Sequence, residues 1–172
     1  MIIYGNGELK ANISLVVSDN PNAYALTRAK ENNIPTYVIK SSSMLERDIE
    51  LTSELEKYEV DLIVLCGYLK MIGENLINNY TIINTHPSLL PKYGGKNMYG
   101  MNVHRAVIEA GEKISGVTVH YVNSEYDEGN IISQAKVDVA PDDTPESLAE
   151  KIQAIEKPQL VRVIQEFILK KK

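Results

Sequence analysis

Short β-branched apolar runs alternate with amphipathic stretches along this chain, and that rhythm limits it to an α/β fold built from βαβ units. Ile13 to Val17 and Thr36 to Ile39 read as strands, with the amphipathic stretch Tyr24 to Asn33 between them. Met44 to Tyr58 reads as a helix, and Val60 to Cys66 is an almost continuous apolar run of the kind buried on both faces of a parallel sheet. Gly67 closes that strand. A short helix at Glu74 to Asn79 and a strand at Thr81 to Asn84 lead into a long irregular segment, Thr85 to Gly100, followed by a helix from Val103 to Ala110. Irregular segments of this length are usually functional. Gly116 to Val122 alternates as a strand, and Ile131 to Val139 pairs with it at hairpin distance as an antiparallel edge. Asp143-Thr144-Pro145-Glu146 starts a helix, Pro158 is expected to break or kink it, and Leu160 to Ile168 carries a last helix. The expected architecture is a Rossmann-like, mostly parallel twisted sheet with helices on both faces and an antiparallel strand near the C-terminal edge, in a single domain over 1–172.

Composition excludes several classes of protein. The 172 residues carry one cysteine, so no internal disulfide framework exists, and a reducing, cytoplasmic setting is expected. No apolar stretch has membrane-spanning length, and Met1 to Lys10 lacks the features of a secretion signal. A formal net charge of -5, with Lys170 to Lys172 as the basic run, argues against a nucleic-acid partner. The Gly5-Asn6-Gly7 triplet reads as a plain turn, because only five residues separate it from Ile13 and a phosphate loop needs a helix after it.

The densest chemistry lies in Asn84-Thr85-His86-Pro87-Ser88-Leu89-Leu90-Pro91, just past a strand end, where open α/β sheets bind ligands. On an extended chain Asn84 and His86 project to one side. An amide there could hydrogen-bond a developing oxyanion while an imidazole shuttles a proton. The same histidine could equally cap a strand end. Asp127, in an acidic turn, reads as ordinary turn chemistry or, beside His86, as a carboxylate that raises the imidazole pKa. His120 reads as a half-buried, hydrogen-bonded strand residue and His104 as a surface one. Leu69, Lys70, Met71 and Ile72 follow the buried strand and could either wall a pocket for a flat ligand or begin a helix. The histidine spacing suggests no metal site, and Cys66 reads as a small core residue.

Together with Gly116 to His120 and Asp127 to Gln134, the Asn84 to Pro91 segment resembles the phosphoribosylglycinamide formyltransferases, folate-dependent enzymes of purine synthesis. The resemblance runs from about Ile13 to the C-terminal helices. It implies that Asn84, His86 and Asp127 are a catalytic trio and that Leu69, Lys70, Met71 and Ile72, with Asn84, hold 10-formyltetrahydrofolate. It also implies that Glu156 contacts the glycinamide substrate, that no metal is used, and that the protein is a monomer or homodimer acting on small molecules. The family opens with a strand, a phosphate-binding Gly-rich loop and a helix, whereas this chain resembles it only from near the end of that helix, so a truncated or misassigned start is expected. Lys157 stands where the family has histidine, and Met44 falls where it has an arginine near the folate tail. Related readings are a formyltetrahydrofolate hydrolase, a transferase acting on initiator methionyl-tRNA, which usually adds a basic domain, and a catalytically silent folate-binding remnant.

Overall fold

A computed structural model describes residues 11–170, which form two compact units, one comprising residues up to Ile63 plus Lys70–Thr81, the other Val64–Leu69 plus residues from Ile82 onward. The triplet Gly5-Asn6-Gly7 and the end of the basic run, Lys171 and Lys172, lie outside the described residues.

In the first unit, β1 (Val16–Ser18), α1 (Tyr24–Glu31) and β2 (Thr36–Val38) form a βαβ unit whose strands pair in parallel, with Val16 opposite Thr36. Its core is Val16, Leu26, Ala29 and Ile34. The capped helix α2 (Met44–Leu55) follows, its Ser43 side chain accepting from the Glu46 N–H while the Glu46 carboxylate accepts from Ser43. Glu50 on α2 ties back to the end of β2: its carboxylate accepts from the Tyr37 hydroxyl (2.7 Å), the Lys40 N–H (2.9 Å) and the Ser41 N–H (2.8 Å). Asp48 reaches α3 (Glu74–Asn79) and accepts from the N–H groups of Asn75 and Leu76, satisfying donors left open in the first turn of a short helix.

The second sheet has the order β3-β4-β5-β6, with β3 at Ile63–Leu65, β4 at Ile82–His86, β5 at Ile114–Tyr121 and β6 at Ile131–Asp138. Strand β5 runs antiparallel to both β4 and β6, so the expected hairpin is present. The mixed α/β class expected from the sequence is therefore observed. Two strands differ from their sequence reading. The apolar run Val60 to Cys66 yields only the three residues of β3, each half-buried rather than buried on both faces. Conversely β5, read as alternating, is buried at every position from Ser115 to His120, because it is flanked by a strand on each side.

Helices α4 (Met101–Glu109) and α5 (Pro145–Lys170) complete this unit, whose core is Val107, Val117, Val139, Leu148 and Ile152. Of the expected break or kink at Pro158, the break does not occur, since α5 runs through it. Proline removes one backbone donor, but Leu148 and Ile152 before it and Leu160 and Val163 after it are all buried, and that packing holds the helix continuous. Its start is braced as expected: Thr144 Oγ1 accepts from the Ser147 N–H, and Asp143 takes the Ala140 N–H, the Ser147 hydroxyl and the Lys151 ammonium. No helix among the described residues is long and apolar enough to cross a membrane.

Candidate active site

Extended backbone through β4 sends Asn84 and His86 to one face and Thr85 to the other. On the first face, His120 of β5 lies directly opposite Asn84. The Asn84 amide nitrogen is 3.2 Å from His120 Nε2, and His120 Nδ1 is 2.8 Å from the Tyr121 carbonyl. A carbonyl only accepts, so Nδ1 carries a proton, and in the neutral ring Nε2 is bare and accepts from Asn84. One amide hydrogen of Asn84 is thereby used and the other is left for a ligand.

Asp127 joins this cluster from the turn after β5, with Oδ2 3.4 Å from His86 Nδ1 and Oδ1 3.5 Å from His120 Nε2. Its backbone is left-handed, at φ 59°, and Oδ2 also accepts from the Gly95 N–H at 2.9 Å. Two glycines make this approach possible. A Cβ on Gly129 would lie 1.7 Å from the Tyr121 carbonyl oxygen, and one on Gly94 would strike the Leu90 side chain at 2.5 Å and Asp127 at 3.2 Å. Asp127 also lines a cavity of about 380 Å³ bounded by Leu90, Gly95, Tyr126 and Ile131, a volume suited to a small ligand.

His86 is buried, and its Nε2 donates to the Tyr93 carbonyl at 2.7 Å. Burial pushes this imidazole below its ordinary pKa, and the Asp127 charge and the Tyr93 carbonyl only partly offset that. Asp127 does raise the His86 pKa, as read from the sequence, but the expectation of a proton donor kept near neutral pH is corrected: desolvation outweighs the carboxylate. Burial by itself would raise Asp127, but its contact with His120, the Gly95 N–H and the nearby histidine charges hold it below the usual carboxylate range.

The structure brings together Asn84, His86 and Asp127 as expected, and adds a residue that sequence reasoning placed in an ordinary strand role. His120 is 2% exposed and bridges Asn84 and Asp127. Its signal was available in the strand pairing, since an antiparallel β4–β5 register sets the two histidine-bearing faces against each other. His104, expected at the surface, is 5% exposed, because α4 turns Val103, His104 and Val107 inward. Its Nδ1 has no hydrogen-bond partner among the described residues, and burial and the proximity of His86 lower its pKa.

The remaining expected site residues lie elsewhere. Glu156 accepts from Thr85 Oγ1 at 3.1 Å, on the face of β4 opposite the trio. Cys66 is half-buried, and burial, followed by the charge of Glu156, raises its pKa. Leu69 is exposed, Lys70 pairs with Asp19 at 2.7 Å, Met71 is half-buried and Ile72 is buried. Among the described residues, no group of three His, Cys, Asp or Glu is placed to hold a metal ion.

Comparison with known proteins points in one direction. Residues 4–164 match the formyl transferase family. The chain is 39% identical over 165 residues to the chloroplastic phosphoribosylglycinamide formyltransferase of Arabidopsis thaliana, covering 92% of this chain and 56% of that protein. It is thus little more than half as long as that relative. It is 42% identical over 148 residues to the phosphoribosylglycinamide formyltransferase of Haemophilus influenzae, covering 83% of this chain and 68% of the relative. The crystal structure of the phosphoribosylglycinamide formyltransferase from Bacillus halodurans superposes with a TM-score of 0.87 at 33% identity, covering 96% of this chain and 86% of that one. A family pattern matched along nearly the whole sequence, and relatives this similar in both sequence and structure, establish that the chain belongs to the formyl transferase family.

Proposed function

We propose that this chain transfers the formyl group of 10-formyltetrahydrofolate to the amine of 5'-phosphoribosylglycinamide, giving formylglycinamide ribonucleotide and tetrahydrofolate in de novo purine biosynthesis. The observation that carries the reading is the convergence of Asn84, His86, His120 and Asp127 on one face of the sheet. A free amide donor, a neutral imidazole and a carboxylate within reach of both histidines suit acyl transfer between two nitrogens.

In this mechanism the substrate amine attacks the formyl carbon, and the carbonyl electron pair moves onto oxygen. The remaining Asn84 hydrogen stabilises that oxyanion. His86, neutral at rest, takes the proton lost by the amine at Nδ1 through a water relay, and Asp127 stabilises the imidazolium so formed. As the original carbon–nitrogen bond breaks, its electron pair stays on the folate nitrogen, and the proton is returned there. The ring is thus base first and acid second, a use consistent with a lowered resting pKa. Within the same reading, Leu69, Lys70, Met71, Ile72 and Asn84 contact the folate and Glu156 contacts the glycinamide. The chain works as one formyltransferase domain over 1–172, cytoplasmic, as a monomer or homodimer.

Incubation of the purified chain with both substrates, with detection of tetrahydrofolate and formylated ribonucleotide together, tests the proposal. Formate in place of the ribonucleotide would indicate a hydrolase instead. Folate-analogue binding with no product from either route would indicate a binding remnant.

A further inference from the structure

The ring of His86 is oriented by a backbone carbonyl, and the residue that owns this carbonyl is itself held in an unusual way. Tyr93 has a left-handed backbone, φ 57°, a conformation that costs a residue with a bulky side chain about 1 kcal/mol or more and persists only where surroundings enforce it. Its carbonyl accepts from His86 Nε2 at 2.7 Å. At the other end of the residue, the phenol donates to Glu112 Oε1 at 2.9 Å, and the same oxygen takes the Lys92 ammonium at 2.7 Å. Tyr93, Lys92 and Glu112 all border an open cavity of about 250 Å³ that also reaches Val107 and Ser115. The Tyr93 ring packs in part against the core around Val107, and its hydroxyl, beside the open cavity, is held by Glu112.

We infer that Glu112, just beyond the end of α4, and the Tyr93 phenol form a latch that fixes the His86 ring with its proton on Nε2 and its lone pair on Nδ1, turned toward Asp127. Glu112 and Tyr93 are positioning residues, acting through the Tyr93 carbonyl. The inference deepens the proposed function, since the catalytic use of Nδ1 rests on that reading, but the latch is a property of the protein without substrate. A second brace lies next to it, the Ser88 hydroxyl donating to the Lys92 carbonyl at 2.7 Å, and it is the rival explanation for the loop geometry.

The test labels histidine with nitrogen-15 and reads the ring-nitrogen signals of the three histidines, with His86 assigned through His104 and His120 variants. Asp127, His120 and His104 are the titratable groups that face His86, and none is changed in the latch variants. Tyr93→Phe and Glu112→Ala each remove the latch and leave the Ser88 brace. In both, the His86 signals should move from the pure Nε2–H form toward a mixture, and the double variant should move no further than either single one. Glu112→Gln keeps an oxygen to accept the phenol proton and should restore most of the original signal. Unchanged His86 signals in Tyr93→Phe and Glu112→Ala would overturn the latch and leave the Ser88 brace as sufficient. Turnover separates this from the functional reading: kcat should fall roughly tenfold with little change in KM, as expected for a misoriented group. A tautomer shift with unchanged turnover would uphold the latch and sink His86 as the catalytic imidazole.

Discussion

Asn84 and His120 face each other across the β4–β5 pairing, with the amide nitrogen 3.2 Å from a ring nitrogen that can either accept from it or, once protonated, turn its charge toward Asp127. The amide is therefore oriented by a neighbour that itself senses the carboxylate. His120→Phe should keep the strand packed while freeing the Asn84 amide, and turnover should fall by a factor of about 10 to 100, the scale of a lost oxyanion donor's positioning. Steady-state kinetics of this variant beside Asn84→Ala measure it, and equal losses in the two would assign the whole effect to orientation.

Replacing His86 by alanine removes the proton carrier and should lower turnover by a factor of roughly 100 or more while circular dichroism stays that of a folded protein. Full activity would refute the assignment of this residue.

The rate should also depend on pH in a defined direction. His86 works from its neutral form, and its pKa is lowered by burial, so activity falls only as pH drops below the ordinary histidine value. Asp127 acts on His86 in the opposite, raising direction. Asp127→Asn should accordingly shift the acid limb of kcat/KM further down while reducing the maximum rate. An upward shift would contradict the electrostatic picture.

Glu50 offers a stability test away from the site. Burial would raise its pKa, but hydrogen bonds from Ser41, Lys40 and Tyr37 hold it at about 2. A carboxyl held below its unfolded value stabilises the fold above that value, and the contribution is lost as pH falls from the ordinary carboxylate range toward the folded pKa. Glu50→Gln should cost about 1 kcal/mol at neutral pH and flatten the decline of Tm in that acid window. Thermal melts over the window in both proteins measure the difference.

A methyl group at Gly129 would meet the Tyr121 carbonyl at 1.7 Å, and the backbone, not a flexible side chain, would have to give way. Gly129→Ala should destabilise the protein by about 1 to 3 kcal/mol and misplace Asp127, so activity falls more than stability alone explains. Chemical denaturation and kinetics on the same preparation separate the two effects.

Local signals in the sequence were sufficient for α1 to α4 and the β5–β6 hairpin, whereas the grouping of Asn84, His86 and Asp127 came from the family resemblance, since spacing alone left His86 and Asp127 open to strand-end and turn roles. Capping residues, period and turn chemistry act within a few residues, and Ser43 with Glu46 or Thr144 with Ser147 carry that information in the chain itself. The burial of His104, and the full rather than partial burial of the hydrogen-bonded His120, depend on which elements flank them and are not legible locally. An alternating strand such as Gly116 to Val122 cannot declare from its own residues that it lies between two others. The direction of the His86 pKa failed for a related reason: a nearby carboxylate is readable in the sequence, whereas the desolvation that overrides it belongs to the packed structure. A break at Pro158 does not occur because its missing donor is a local cost and the apolar residues holding α5 in place lie on both sides of it.

The pleat of β4 assigns Asn84 and His86 to one face and gives the other to Thr85 and its partner Glu156. Inserting or deleting a single residue ahead of Asn84 would exchange the two sets, sending the amide and the imidazole to the face that Thr85 now occupies. This segment can therefore diverge by substitution but not by change of length. The loop before the strand is free to vary as long as the count through it is kept, whereas the loop after it carries Tyr93 and Gly95, which hold His86 and Asp127.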